Sequence, residues 1–192
     1  MTISFSTVFP LRSTLPMQDV HYGRDLINLI LGKSVELFGP PRSGIKFAGI
    51  KTGGARPRLL VTEDLHNAKI ELSDCAERSW DSFVSELSHE CVHLLNPIRG
   101  NASYLEEGIA ETYSRYVQRE LNIPPLNHSV KEYNDAVAMI RELPYEPFAF
   151  AKEVRSKLGA LTGFSAEDLM GHFPEIDVDL AARLTAVCRT VA

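Results

Sequence analysis

An α+β fold in a single domain spanning residues 1–192 is expected from where the periodicities fall. Short β patterns are confined to residues 45–72, and helical patterns fill nearly all of the chain after residue 72. Proline and glycine clusters separate the two, and a hydrophobic content of 44% is enough for one core. The β-containing part covers about residues 1–95 and the helical part about 96–192.

The first helix is expected from Asp19 to Phe38, with Leu26, Ile27, Ile30, Leu31, Val35 and Leu37 as apolar positions, and Gly39–Gly44 ends it. Ile45–Lys51, Arg58–Glu63 and Lys69–Leu72 read as three strands, joined in a meander by a turn at Thr52–Pro57 and a break at Asp64–Asn67. The sheet is therefore small, antiparallel or mixed. Asp74 and Glu77 form an expected capping box for the next helix. Trp80, Phe83, Val84, Leu87, Cys91, Leu94 and Leu95 give that helix its apolar stripe, and Asn96-Pro97 stops it. Ser103 and Glu106 form a second capping box, opening a helix that runs to about Leu121. Further helices are expected at about 130–142, 147–160, 165–171 and 177–190.

The bulk properties exclude several classes of function. A net charge of -5 and no run of like charges argue against nucleic acid and against a polybasic membrane contact. No apolar stretch reaches the roughly 20 residues that span a bilayer, and the N-terminal residues lack the basic start of a signal peptide. Cys75, Cys91 and Cys188 are odd in number and widely spaced, as reduced thiols are. The expectation is a cytoplasmic protein, with leaderless export left open and the oligomeric state unspecified.

The chemistry lies in His89-Glu90-Cys91-Val92-His93. On a helix, residues four apart lie about 40° apart, so both imidazoles share one face and can grip one zinc ion. Glu90 lies about 100° further round, placed to take a proton from a zinc-activated water without being a ligand. Cys91 points about 200° away from His89 and does not belong to the set. A third histidine after a glycine, as in His-x-x-Gly-x-x-His, is absent, because Leu94, Leu95, Asn96, Pro97, Ile98 and Arg99 come after His93.

Catalytic zinc keeps three protein ligands, and Tyr104-Leu105-Glu106-Glu107-Gly108-Ile109-Ala110 resembles the glutamate helix of the gluzincin group of zincin-like metallopeptidases. The resemblance covers about residues 68–120 and implies a zincin-like fold: a sheet, an active-site helix, a glutamate helix and a helical C-terminal part. It implies that Glu107 is the third ligand and that Glu111 supports a ligating histidine. Physics favours Glu107 over Glu106, since Glu106 serves the capping box while Glu107 and Glu111 share a helical face. Gly108 beside the ligand permits close approach of backbone or substrate. Only thirteen residues, 94–106, separate His93 from Glu107, fewer than in many members of the group.

The same resemblance implies that Lys69–Leu72 is an edge strand pairing with an extended peptide, with Asn67-Ala68 adding polar contacts. It also implies an oxyanion-stabilising side chain from the later helices, for which Tyr133 is preferred over His128 and His172. His21 and His66 read as surface residues. The resulting expectation is a metallopeptidase holding one zinc ion, with Glu90 as general base and a peptide or protein as substrate. The alternative is a catalytically silent binding or regulatory protein on a zincin scaffold.

Overall fold

The computed structural model describes residues 14–16, 18–126 and 130–189. Within them, helix α1 (Val20–Phe38) precedes strands β1 (Lys46–Gly54), β2 (Arg58–Val61) and β3 (Asn67–Ser73). Six helices come next: α2 (Trp80–Leu94), α3 (Tyr104–Glu120), α4 (Lys131–Glu142), α5 (Pro147–Leu158), α6 (Ala166–His172) and α7 (Val178–Thr185). The fold is α+β, with a three-stranded mixed sheet.

The sheet is not a meander. Its order is β1-β3-β2, with β1 parallel and β2 antiparallel to β3. The last strand in sequence is thus the central one, and Lys69–Leu72 is not an edge. The reason is burial: Ala68, Ile70 and Leu72 are fully buried, which a central position provides and an exposed edge does not. Glu71 makes this strand look half-polar, but its carboxylate is buried between Lys51 of β1 (2.5 Å) and Arg58 of β2. The hydrogen bonds and charges of Lys51 and Arg58 hold that carboxyl below the usual carboxylate range. The expected turn at Thr52–Pro57 is also displaced. β1 runs on to Gly54 because Gly49 (φ 97°) and Gly53 (φ 90°) absorb two register shifts against β3, as bulge glycines do.

The metal-motif helix starts later than its expected capping box. Ser79 is the N-cap of α2, accepting from Asp81 N and Ser82 N. Asp74 pairs instead with Arg78 at 3.1 Å, and Glu77 accepts from Thr52 Oγ1. The stripe of Trp80, Phe83, Val84, Leu87 and Leu94 is buried against the sheet and its neighbouring helices, which turns the opposite side of α2 towards α3 and the cleft. Ser114 Oγ of α3 donates to Ser85 O of α2 at 2.9 Å, locking the two helices in register.

Two distant segments hold the connector between α2 and α3. Arg155 of α5 donates to the carbonyls of Phe38, Gly39, Pro40 and Leu95, closing the C-terminal ends of α1 and α2 together. The last expected helix, 177–190, stops at Thr185, because Ala186 takes an extended conformation (φ −63°, ψ 146°). The chain then lies along residues 102–104: Tyr104 N donates to Ala186 O (3.0 Å) and Cys188 N to Ala102 O (2.8 Å). The C-terminal segment thus fixes where α3, and with it Glu107, begins.

α3 and α4 meet at Gly108. A Cβ there would lie 2.5 Å from Ile140 Cγ1 and 2.8 Å from the Ala136 carbonyl oxygen. The close approach is therefore to backbone, on the helix that carries Tyr133. Gly108→Ala should lower stability, since overpacking costs about 1–3 kcal/mol and outweighs the gain of about 1 kcal/mol in helix propensity. Thermal melting checks this, and a melting temperature equal to or above that of the parent protein contradicts it.

Candidate metal centre

His89 and His93 sit one turn apart on α2, and Glu107 faces them from the first turn of α3. His89 Nε2 lies 3.1 Å from His93 Nε2 and 3.1 Å from Glu107 Oε2, and His93 Nε2 lies 3.5 Å from the same oxygen. Ligand atoms of a tetrahedral zinc, each about 2.0–2.1 Å from the ion, are separated by about 3.3–3.4 Å. The triangle has that size, and these three residues form a cluster able to hold a metal ion among the described residues.

The partners of the other ring nitrogens decide what the cluster offers. His93 Nδ1 is 2.8 Å from Glu106 Oε1. A carboxylate only accepts, so Nδ1 carries the proton and Nε2 is left with its lone pair. His89 Nδ1 faces Glu111 Oε2 at 3.6 Å, and Glu111 is itself held by Arg115 Nε at 2.9 Å. His89 Nε2, His93 Nε2 and a carboxylate oxygen converge within 3.1–3.5 Å of one another. Such an arrangement repels itself unless protons or a cation lie between the atoms. The donor set of two nitrogens and one oxygen suits zinc.

The electrostatics express that convergence. Burial opposes a charged His89, but the Glu107 and Glu111 carboxylates outweigh it and raise its pKa to about 9. Burial likewise opposes charge on His93, and Glu107 and Glu106 together raise its pKa well above the ordinary imidazole value. Burial works against ionised Glu107 too, but His93 and His89 hold its carboxyl far below the usual range. In the metal-free chain, the raised His89 pKa adds stability that is fully present below about pH 6.5 and lost as pH rises through about 9. A metal ion competes with those protons. The rise in melting temperature on adding saturating zinc should therefore grow from pH 6.5 to pH 9. A zinc effect that is flat or falling across this window contradicts the site.

Glu90 is 4% exposed, and its carboxyl borders the cleft beside the cluster. Burial raises its pKa, partly offset by His93 and His89. No described side chain hydrogen-bonds to it. Tyr133 of α4 faces the same cleft, its ring centroid 5.3 Å from that of His89. Burial first, and then Glu107 and Glu90, pushes its phenol upward, so it stays a proton donor across the neutral range. The cleft, of about 190 Å³, is closed on its remaining sides by the 98–102 connector and by residues 56–59 at the start of β2.

Several sequence expectations take a different form here. Glu106 does not complete a capping box. Its backbone N–H does donate to Ser103 Oγ (3.3 Å), but Ser103 N donates to Thr162 Oγ1 and the Glu106 carboxylate turns to His93. The side chain excluded as a ligand on capping grounds is thus a histidine support. Its position one residue before Glu107 is the signal that could have found it. His172 is exposed at the end of α6 and does not line the cleft, while His128 lies outside the described residues. His21 and His66 are exposed, and Cys91 is buried in the core. Asn67 and Ala68 lie on the central strand, with Ala68 fully buried, so they cannot form a substrate edge. The strand that borders the cleft is β2, whose outer side has no strand partner among the described residues. Arg56 and Arg58 on this wall are missed by sequence reasoning, because no spacing ties them to the motif.

No family model, curated protein or solved structure matches the chain. The reading of the site therefore rests on its own geometry. Among the described residues, no helix is long and apolar enough to cross a membrane.

Proposed function

We propose that the protein is a zinc-dependent peptidase of the gluzincin-like, zincin type. The observation that carries the reading is the convergence of His89 Nε2, His93 Nε2 and Glu107 Oε2 beside a carboxylate, Glu90, that has no side-chain partner among the described residues, on an open cleft. His89, His93 and Glu107 would hold the ion, with Glu106 and Glu111 fixing the tautomer and orientation of the two imidazoles. A zinc ion bound there would supply Lewis-acid polarisation and lower the pKa of water.

The chain's own groups supply the rest. Glu90 accepts a proton from the attacking water and returns it to the leaving amine, a role suited to a carboxyl whose pKa burial raises above the ordinary glutamate value. Tyr133 keeps its proton and can donate to the oxygen on which charge develops. β2 offers an edge with no strand partner among the described residues, along which an extended peptide can add. A silent scaffold has no use for Glu90, whose buried carboxyl disfavours its own ionisation and finds no side-chain partner among the described residues.

The reading is tested by incubating zinc-loaded protein with a mixed peptide pool and tracking new termini by mass spectrometry. Cleavage abolished by 1,10-phenanthroline is expected. A pool that stays intact with stoichiometric zinc present contradicts the peptidase reading.

A further inference from the structure

We propose that the cleft selects peptides bearing a carboxylate, which Arg56 receives on the wall formed by the β1–β2 turn. The proposal rests on the peptidase reading and names its substrate class.

Arg56, Pro57 and Arg58 line the same cleft as His89, Glu90 and Glu107. Both arginines are exposed. Arg58 pairs through Nε with the buried Glu71, which also takes Lys51. One carboxylate thus faces two cations. Among the described residues no carboxylate pairs with Arg56 at all. Such a cationic wall is unexpected in a chain with a net charge of -5.

The cleft floor makes that wall more informative. Glu90, Glu106 and Glu107 line it, and an anionic substrate would be repelled by them. A metal ion on His89, His93 and Glu107 offsets part of this charge. An exposed guanidinium at the rim supplies a second attraction, and its planar fork matches a carboxylate in two parallel hydrogen bonds. The shared chemistry is a carboxylate, whose source is either an acidic side chain or a free peptide C-terminus. β2 begins at Arg58, so a peptide adding along that edge would run beside this wall.

The test is calorimetric binding to zinc-loaded Glu90→Gln protein, in which turnover does not consume the probe. The probes are blocked five-residue alanine peptides with one Glu at each position in turn, the matching Gln set, and an all-alanine peptide with a free carboxyl terminus beside its fully blocked counterpart. We expect the carboxylate form of at least one matched pair to bind roughly fivefold tighter, the factor given by an ion pair near the top of the surface range. The gap should vanish in Arg56→Ala and reverse in Arg56→Glu. A gap confined to the Glu set identifies an acidic side chain, and one confined to the free terminus identifies a terminal carboxylate. Equal binding across all pairs overturns the proposal, as does a gap that survives both Arg56 variants. If the Arg56 variants lose zinc, Arg56 serves the charge balance of the metal centre and the proposal is wrong. If no peptide binds, the peptidase reading itself has failed; if neutral peptides bind and acidic ones bind no tighter, only the selectivity has failed.

Discussion

Glu90→Gln should retain one zinc per chain and lose peptide hydrolysis by about 10²–10⁴-fold, the usual contribution of a general base. The two halves of this result come from different features. The convergent atoms belong to His89, His93 and Glu107, so removing the Glu90 charge leaves them in place. Glutamine keeps the shape of the side chain but cannot accept the proton. Loss of fold is not an available explanation. Glu90 is buried and its raised pKa means that the folded state disfavours its ionised form. A raised carboxyl pKa subtracts stability as pH rises above the ordinary glutamate value. The neutral glutamine should therefore leave the metal-free protein at least as stable at neutral pH, a trade of stability for function common at active sites. Metal content, thermal melting and peptide cleavage measured on one preparation separate these effects. Full cleavage by Glu90→Gln would remove Glu90 from the chemistry.

The second large effect separates the two adjacent glutamates. Glu107→Ala should cost far more zinc affinity than Glu106→Gln. Glu107 Oε2 is one of three ligand atoms, at 3.1 and 3.5 Å from the two histidine Nε2 atoms. Glu106 contributes only through His93 Nδ1, and loss of such a support costs about 10- to 100-fold in affinity. Glutamine at position 106 preserves its size and a carbonyl acceptor for Nδ1–H, which puts the expected loss at the low end of that range. Zinc affinity by competition with a chromogenic chelator reads both variants. Equal losses in the two, or a larger loss in Glu106→Gln, would remove Glu107 as the distinguishing ligand.

The helices from α1 to α6 are legible in the sequence because each carries an apolar stripe followed within a few residues by glycine or proline; α7 has no such stop, and its end is misplaced. α1 is expected at Asp19–Phe38 and runs from Val20 to Phe38, with Asp19 as its cap. The site is legible for the same reason. The i, i+4 spacing of His89 and His93 forces both rings onto one face wherever the helix forms. Strand order is not legible. Period 2 reports which side chains share a face, not which strand lies next to which, so the central place of β3 emerges only from its burial and from the Lys51–Glu71–Arg58 contacts. Glu106 is misread because Ser-x-x-Glu fits a capping box locally, while the buried imidazole of His93 competes for the same carboxylate and wins it. The links from Arg155 to four carbonyls and from Ala186 and Cys188 to the 102–104 segment join residues far apart in the chain, and no local pattern announces them.

The central claim is a metal site formed by α2 and the first turn of α3. It is tested most directly by the metal content of the purified, chelator-stripped and zinc-reconstituted protein, set beside His93→Ala and Glu107→Ala made in the same way. One tightly held zinc per chain, lost or greatly weakened in both variants, is the expected result. A parent protein that retains no zinc, or variants that retain it fully, would contradict the account.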